Sequence, residues 1–264
     1  MSESYASLQL ERQGPVATLW MNRPELFNAF NERLIDDLHR ACTALGQDEQ
    51  VRVVVLAGRG KHFSAGADLH WMQRAAGYGE AENLADARAF AGMLQALAGL
   101  PKPTIARVQG AALGGGTGLA AACDMVVASE DAVFSTSEVR FGIIPAVISP
   151  YVLRAIGPRQ ALRYFQSAER IPAGRAQALG LVHEVVPRDQ LDSALAALVA
   201  PLLAGGPAAL QAAKALVADV AGRPIDAALA EATAQRIARQ RATPEAREGI
   251  AAFLAKRPAA WVPE

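Results

Sequence analysis

Residues 104–119 have the sequence TIARVQGAALGGGTGL, and this stretch decides the predicted fold. The apolar run at residues 104–108 is typical of a buried strand, and the glycine-rich turn after it passes into an alanine-rich run typical of a helix. Residues 53–69, VVVLAGRGKHFSAGADL, show the same order of apolar strand and glycine-marked turn. Two such units in one chain predict an α/β core.

The segments before these units extend the core. Residues 7–12 and 16–21 alternate apolar and polar side chains around Gln13-Gly14, which predicts a β-hairpin at the start of the fold. Asn31 is the predicted N-cap of a helix whose apolar residues recur at helical spacing as far as Leu45.

The segments after them change character along the chain. Residues 124–128, 132–134 and 181–186 are predicted strands, whereas the pattern from Gln190 onward is helical throughout. We therefore divide the chain into a core and a helical C-terminal region. The core comprises residues 1–187 and the helical region residues 188–264, with predicted helices near residues 191–203, 208–220, 225–241 and 244–256.

The composition limits the classes of function. With 264 residues and 52% hydrophobic content, the chain can bury a large core, which argues against a disordered protein. Its 26 basic and 26 acidic residues balance, so no nucleic-acid partner is expected. Cys42 and Cys123 form no C-x-x-C pair, which favours buried thiols over a redox or metal site. Without a leader pattern or a run of about 18 apolar residues, we expect a cytoplasmic enzyme with no membrane partner.

Both glycine-marked turns can present backbone N–H groups to a ligand. Glycine lets the main chain approach closely, and unpaired donors at a helix start carry partial positive charge. Two such donors can bind one oxyanion, although tight turns alone also explain the glycines. A phosphate loop is excluded because no Lys-Ser/Thr follows the glycines, and a dinucleotide loop because Leu119 stands where a third glycine is needed. A serine-hydrolase elbow is excluded because His62 stands two residues before Ser64.

Four motifs follow one another along the chain: FSAGADL at residues 63–69, ALGGG at 112–116, ACD at 122–124 and SEVRFGIIP at 137–145. In sequence and order they resemble the crotonase (enoyl-CoA hydratase/isomerase) superfamily. Residues 178–182, ALGLV, and 247–257, REGIAAFLAKR, are also similar to family patterns. The resemblance covers nearly the whole chain.

The resemblance implies an α/β fold built as a spiral of β–β–α turns with a helical C-terminal trimerisation region. A homotrimer or a dimer of trimers is therefore expected. It implies an acyl-CoA substrate, with no cofactor beyond the CoA that the substrate carries and no metal. The implied oxyanion hole consists of the backbone N–H groups of Ala67 and Gly115. The implied substrate-binding residues are Ala65, Ala67, Asp68, Leu69, His70, Gly115 and Lys256, the last near the CoA phosphates.

The resemblance also identifies Glu138 as the catalytic acid/base. In two-carboxylate hydratases of the superfamily, one Glu follows the glycine run and a second matches Glu138, but this chain has Gly118 at the first position. Hydration adds oxygen at one carbon and hydrogen at its neighbour, so at least one positioned acid/base is needed. Asp68 and Asp124 are expected to cap turns, and His62 is expected to be an ordinary loop histidine.

A second departure from many relatives lies after Pro145. Residues 144–151, IPAVISPY, together with residues 67–72, ADLHWM, resemble the bacterial methylglutaconyl-CoA hydratase branch. This likeness implies 3-methylglutaconyl-CoA or a longer branched ester such as isohexenylglutaconyl-CoA as the substrate. Arg140 is a candidate for binding a distal carboxylate, since Arg suits carboxylates by its two-pronged geometry, but surface ion pairing also explains it.

Three functions stay open at this point. The leading one is an enoyl-CoA hydratase, which adds water across the α,β double bond of the thioester. A Δ3-Δ2-enoyl-CoA isomerase is the alternative, because one Glu suffices to remove and return a proton. A non-catalytic acyl-CoA-binding or RNA-binding relative is the alternative of another class, and the balanced charge disfavours RNA.

Overall fold

A computed structural model describes residues 4–262 of the chain. Its backbone contacts divide the chain into two compact units. The first comprises the described residues up to Leu100 together with Thr104–Leu195, and the second comprises Pro101–Pro103 and the described residues from Ala196 onward. The sequence places its division at residues 187 and 188, and that boundary stays a prediction.

The first unit contains two β-sheets. A six-stranded sheet has the order β1-β2-β3-β4-β6-β9, and a three-stranded sheet has the order β5-β7-β8. The strands are β1 (Leu8–Gln13), β2 (Val16–Met21), β3 (Val53–Gly58), β4 (Thr104–Val108), β5 (Ala111–Leu113), β6 (Met125–Ser129), β7 (Val133–Ser135), β8 (Ile171–Pro172) and β9 (Glu184–Val186).

The pairing of the strands explains the sequence patterns. β1 and β2 form the predicted antiparallel hairpin, and the other pairs of the larger sheet are parallel. All six residues of β3 are buried, as expected for a parallel strand covered on both faces. A fully buried valine or leucine in such a strand stabilises the fold by about 2 kcal/mol.

The helices complete the architecture. They are α1 (Glu32–Gln47), α2 (Leu69–Ala75), α3 (Glu80–Ala98), α4 (Gly115–Ala122), α5 (Ser149–Ser167), α6 (Ala173–Ala178), α7 (Leu191–Ala204), α8 (Pro207–Val220), α9 (Ala227–Arg241) and α10 (Pro244–Leu254). Short 3-10 turns span Pro24–Leu26, Glu138–Phe141 and Arg188–Gln190. The four predicted C-terminal helices correspond to α7 through α10.

The chain passes from the larger sheet to the smaller one in successive turns. In one turn, β4 lies in the larger sheet, β5 lies in the smaller sheet, and helix α4 follows. In the next turn, β6 lies in the larger sheet, β7 lies in the smaller sheet, and a 3-10 turn and helix α5 follow. Because β5 and β7 pair in parallel, equivalent ends of successive turns lie side by side. This arrangement confirms the mixed α/β fold and agrees with the expected β–β–α turns.

The N-terminus of α1 forms as its sequence predicts. The Asn31 side chain accepts a hydrogen bond from the Leu34 backbone N–H at 3.0 Å, which satisfies one of the free donors of the first turn. Leu34, Leu38 and Leu45 are buried on one face of the helix. Cys42 on the same face and Cys123 in the core are both buried, as expected.

Three elements differ from the sequence prediction. The predicted strand 181–186 is ordered as a strand only at β9, because the N–H groups of Leu181 and Val182 donate to the Ala176 carbonyl at the end of α6. The predicted helices on either side of Gly157 are joined as α5, with a break at that glycine, whose φ is 72°. Helix α2 follows the first glycine turn and has no apolar periodicity of its own.

No single helix within residues 4–262 is long and apolar enough to cross a membrane. The segments Arg188–Ala204 and Pro207–Val220 reach that hydropathy only as a pair, and they are bent by 104° relative to each other.

Candidate active site

The two glycine-marked turns lie against each other. The Ser64 N–H donates to the Ala111 carbonyl at 3.0 Å, and the Leu113 N–H donates to the Ser64 carbonyl at 2.9 Å. Ser64 and Ala112 thereby form a parallel β-bridge between the loop after β3 and strand β5. The predicted proximity of the two turns is thus supported by direct backbone hydrogen bonds.

The first turn holds Ala67 between two fixed neighbours. Gly66 has a φ of +96°, and a Cβ there would lie 3.1 Å from the Leu113 carbonyl oxygen, so glycine is required. The Phe30 N–H donates to the Gly66 carbonyl at 2.7 Å, and the Asp68 N–H donates to the Phe30 carbonyl at 2.8 Å. The Ala67 N–H itself donates to no acceptor in residues 4–262.

The second turn places Gly115 at the start of α4. The Gly114 N–H donates to the Ser135 carbonyl at 2.7 Å, and the φ of 52° at Gly114 turns the chain into the helix. Gly115 is the first residue of α4, and its N–H donates to no acceptor within the described chain. Free donors at a helix N-terminus attract negative charge.

The two free N–H groups stand in equivalent places. Ala67 follows the bridged residue Ser64 by three positions, and Gly115 follows its partner Ala112 by three positions. Both backbones are therefore fixed relative to one hydrogen-bonded pair. The use of these two N–H groups as donors, and their convergence on one oxygen atom, stay predictions.

Glu138 lies above the start of α4. It is the first residue of the 3-10 turn Glu138–Phe141, and a Cβ added to Gly114 would lie 3.4 Å from Glu138 Oε1. Glu138 Oε2 is buried and accepts no hydrogen bond from residues 4–262. Burial raises the pKa of the Glu138 carboxyl, and a backbone hydrogen bond offsets this only in part. An unpaired carboxyl with a raised pKa is suited to taking up and returning a proton.

The position of the missing second carboxylate is occupied by an apolar side chain. A Cβ added to Gly118 would lie 2.2 Å from Ile148 Cγ2 and 2.7 Å from Ile148 Cβ. Ile148 is buried, with 2% of its surface exposed. Sequence reasoning identified Gly118 as the position that lacks a carboxylate, but it did not identify Ile148 as the residue packed against it. Only tertiary packing brings these two residues together.

Aromatic rings close the space beside the second turn. A Cβ at Gly115 would lie 2.9 Å from Phe90 Cζ and 3.1 Å from Phe30 Cε2, and the centroids of these two rings are 5.5 Å apart. Sequence reasoning missed both residues, since an apolar residue in a helix or loop is expected in any core. A side chain at position 115 would therefore require one or both rings to shift.

Of the two aspartates predicted to cap turns, Asp68 has that role, whereas Asp124 joins its segment to the start of strand β4. Asp68 accepts from the His70 and Trp71 N–H groups at the start of α2 and forms an ion pair with Arg23 at 2.8 Å. Burial alone would raise the pKa of Asp68, but these hydrogen bonds outweigh it and lower the pKa. Asp124 accepts from the Thr104 N–H at 2.9 Å and from its hydroxyl at 3.0 Å.

The remaining predicted CoA contacts lie at the surface or at its edge. Leu69 is 78% exposed, His70 is exposed and Ala65 is half-buried in the first turn. Lys256 is exposed in the second unit, just after α10. The carboxylate of Asp68 is already engaged by Arg23 and α2. Contacts of all these residues with CoA stay predictions.

Two further polar side chains are used by the fold. His62 Nδ1 accepts from the Ala111 N–H at 3.0 Å, and burial, followed by the charges of Lys61 and Arg188, lowers the pKa of His62. Arg140 Nη2 donates to the Ala168 carbonyl at 3.0 Å. Within residues 4–262, no group of three or more His, Cys, Asp or Glu side chains is arranged to hold a metal ion.

Comparison with known proteins shows similarity over nearly the whole chain. The family model described as enoyl-CoA hydratase/isomerase matches residues 11–263. The 2,3-dehydroadipyl-CoA hydratase of Escherichia coli K12 is 37% identical over 253 residues, covering 96% of this chain and 97% of that protein. The crotonyl-CoA hydratase of Syntrophomonas wolfei is 34% identical over 266 residues, covering 98% and 99%. A crystal structure of an enoyl-CoA hydratase from Shewanella pealeana matches with a TM-score of 0.94 at 40% identity, covering 97% and 96%.

Proposed function

The chain belongs to the enoyl-CoA hydratase/isomerase family, and from that premise we propose that it is an enoyl-CoA hydratase. It adds water across the α,β double bond of an acyl-CoA thioester. The observation that carries the proposal is the placement of one buried, unpaired carboxylate oxygen of Glu138 above the turn that presents the free Gly115 N–H.

The backbone donors supply electrostatic stabilisation. As water adds to the β-carbon, negative charge develops on the thioester oxygen, and the N–H groups of Ala67 and Gly115 would bind that oxygen. These donors are fixed before the substrate arrives, so no free energy of reorganisation is needed during the reaction. The loss of one such donor typically raises the barrier by about 3 kcal/mol.

Glu138 supplies the proton transfer. Its carboxylate takes a proton from water while the water oxygen bonds to the β-carbon and the double-bond electrons move toward the thioester oxygen. The resulting carboxylic acid then returns that proton to the α-carbon. The atoms balance with water alone, so the proposed reaction requires no redox cofactor and no metal, and the CoA enters as part of the substrate.

The direct test is Glu138→Gln with crotonyl-CoA as the substrate. Because glutamine keeps the shape of the side chain but does not accept a proton, we expect kcat to fall by about 10³-fold, with the thermal unfolding midpoint little changed. The matched control is Glu130→Gln, an exposed position in the same unit, which should retain wild-type kcat. Wild-type turnover by Glu138→Gln would contradict the assigned role of Glu138.

An isomerase is the second candidate function. The observation that favours it is Ile148, which occupies the space over Gly118 and leaves Glu138 as the acid/base group that the site offers. One carboxylate suffices to move a proton between two carbons of the same substrate. Conversion of a 3-enoyl-CoA without any hydration of crotonyl-CoA would replace the hydratase proposal by the isomerase.

The acyl group is a finer part of the proposal. The likeness of residues 144–151 to the methylglutaconyl-CoA hydratase branch supports 3-methylglutaconyl-CoA or a longer branched ester such as isohexenylglutaconyl-CoA. Arg140 donates to a backbone carbonyl, so it is less available for a distal carboxylate than the sequence suggested. The values of kcat/KM on crotonyl-CoA, 3-methylglutaconyl-CoA and 2,3-dehydroadipyl-CoA would rank these substrates. Binding of all three without turnover would instead support the non-catalytic acyl-CoA-binding alternative.

The assembly is also a proposal. The helical second unit carries exposed apolar side chains in α10, where Ile250 is 54%, Phe253 82% and Leu254 75% exposed. Exposed apolar groups of this size in neighbouring turns are typical of interfaces. They support the expected homotrimer or dimer of trimers, which light scattering of the purified protein would test. The cytoplasmic location stays a prediction.

A further inference from the structure

The segment from Glu138 to Ile148 contacts helix α4 at two places. At the first, Glu138 Oε1 lies 3.4 Å from the position of a Cβ on Gly114. At the second, Ile148 closes over Gly118, with Cγ2 at 2.2 Å from the position of a Cβ there. The Gly118 N–H donates to the Gly114 carbonyl at 3.1 Å, so the two places are one helical turn apart on α4.

The contact at Gly118 involves more than the tip of a side chain. Ile148 Cβ, which moves only with the backbone, would lie 2.7 Å from the added Cβ. A side chain at position 118 would therefore displace the backbone of Ile148, which is the N-cap of α5. The segment from Glu138 to Ile148 begins and ends on α4, so we expect a displacement at its end to reach its start through the chain.

The surroundings of Glu138 contribute burial and little charge. Helix α4 contains no titratable residue, and Arg140 on the same turn donates to the Ala168 carbonyl. The first turns of α5 contain Tyr151 and Arg154. The Arg154 guanidinium donates to the Ala121 carbonyl at 3.4 Å. The raised pKa of Glu138 has burial as its main cause, and no charged side chain contributes to the shift.

We propose that Ile148 is a positioning residue for Glu138: by closing over Gly118 it fixes the end of the segment whose first turn carries the carboxylate. The inference rests on the proposed function, because it concerns the same acid/base group. It assigns to Gly118 the role of receiving Ile148, so an apolar contact stands where a second carboxylate would otherwise act. The enzyme then carries out both proton transfers with Glu138 alone.

The first experiment measures the pH dependence of kcat/KM for Ile148→Ala with a substrate that the wild type turns over. If the turn that carries Glu138 loses its support, the carboxyl becomes more exposed and its pKa falls, so we expect the acid limb of the profile to move about one unit to lower pH. Ile148→Val retains Cγ2, the atom closest to Gly118, so the acid limb of its profile should lie at the wild-type pH. Ile156→Ala, which removes an equally buried isoleucine two turns further along α5, should leave the limb in place.

The second experiment adds a side chain at position 118 and then removes the one at position 148. Gly118→Ala should lower kcat about 100-fold, as expected when a catalytic group is displaced by about 1 Å. The double variant Gly118→Ala/Ile148→Gly removes the atoms that the new methyl group meets, and it should recover at least tenfold of that loss. Thermal unfolding of each variant shows whether it is folded, and the pH profile of Ile148→Ala carries the test if Gly118→Ala is not.

The outcomes separate this inference from the function on which it rests. A wild type that turns over no enoyl-CoA overturns the proposed function. An active wild type whose acid limb is the same in Ile148→Ala as in Ile156→Ala overturns the positioning role alone. A recovery of kcat in the double variant together with a shifted limb supports the positioning role.

Discussion

The two turns that supply the proposed donors are held in place by different means. In the first, polar side chains fix the backbone: the Ser64 hydroxyl donates to the Asn28 carbonyl at 2.8 Å, and Asp68 pairs with Arg23. In the second, small residues matter most, because groups from elsewhere in the fold lie where Cβ atoms at Gly115, Gly116 and Gly118 would be. The buried Thr117 hydroxyl adds a polar contact there by accepting from the Ser135 N–H at 3.2 Å. Apart from Gly66, where the positive φ requires glycine, the first turn should therefore lose stability step by step under mutation, whereas the second should tolerate less change.

The largest expected effect is in the second turn. In Gly116→Ala the new methyl group would lie 2.7 Å from the Ser64 carbonyl oxygen and 3.0 Å from Ser64 Cβ. Because that carbonyl accepts the Leu113 hydrogen bond, the two turns would separate. We expect about 3 kcal/mol lower free energy of unfolding and no measurable turnover of the substrate. Urea unfolding and steady-state kinetics measure these quantities.

The control for this substitution is Gly174→Ala. Gly174 lies in α6, and a Cβ there meets nothing within 4 Å. Alanine is a better helix former than glycine, so this variant should be more stable by about 0.5–1 kcal/mol. Equal effects of the two substitutions would show that crowding in the second turn is not what makes glycine necessary.

A smaller effect is expected in the first turn. Asp68→Asn keeps an oxygen for the N-terminus of α2 but removes the charge opposite Arg23, whose side chain is only 15% exposed. We expect the free energy of unfolding to fall by about 2 kcal/mol, with kcat reduced less than in Gly116→Ala. If Asp68→Asn were to abolish turnover while remaining folded, the contrast between the turns would be wrong.

The smallest expected effect is a pH dependence of the stability that comes from the hydrogen bond between His62 and Ala111, which links the two turns. His62 Nδ1 accepts from the Ala111 N–H and must be unprotonated to do so. Its pKa in the folded protein is lowered from 6.5 by burial, so this stabilisation is present above pH 6.5 and is lost as the pH falls through the lowered value. Urea unfolding of the wild type and of His62→Gln should converge as the pH falls below that window. Parallel curves across the window would contradict this role of His62.

The elements that were predictable from the sequence are those with a local signal. Asn31 caps α1 because its side chain accepts a hydrogen bond from a backbone N–H three residues away. Strand β3 is a continuous apolar run, which is the pattern of a strand buried on both faces. Helix α2 was not predictable, since Leu69 at its start is 78% exposed and its N-terminus depends on Asp68, which Arg23 fixes from a distant part of the chain.

The candidate site divides in the same way. Its motifs identified Ala67, Gly115 and Glu138, and the absence of a carboxylate at position 118 was visible in the sequence. The contact of Ile148 with Gly118 joins residues 30 positions apart, and the buried Oε2 of Glu138 depends on three-dimensional packing. A one-dimensional pattern contains no information on which distant side chain fills a space.

The bridge between Ser64 and Ala112 has a consequence for dynamics. Both donors lie three residues from a shared hydrogen-bonded pair, so their spacing is set by short covalent paths rather than by a hinge. Fluctuations that open one turn must open the other, and the amide protons of Ser64 and Leu113 should exchange with solvent deuterium at a common rate. The arrangement of the two N–H groups is therefore acquired once, when the chain folds.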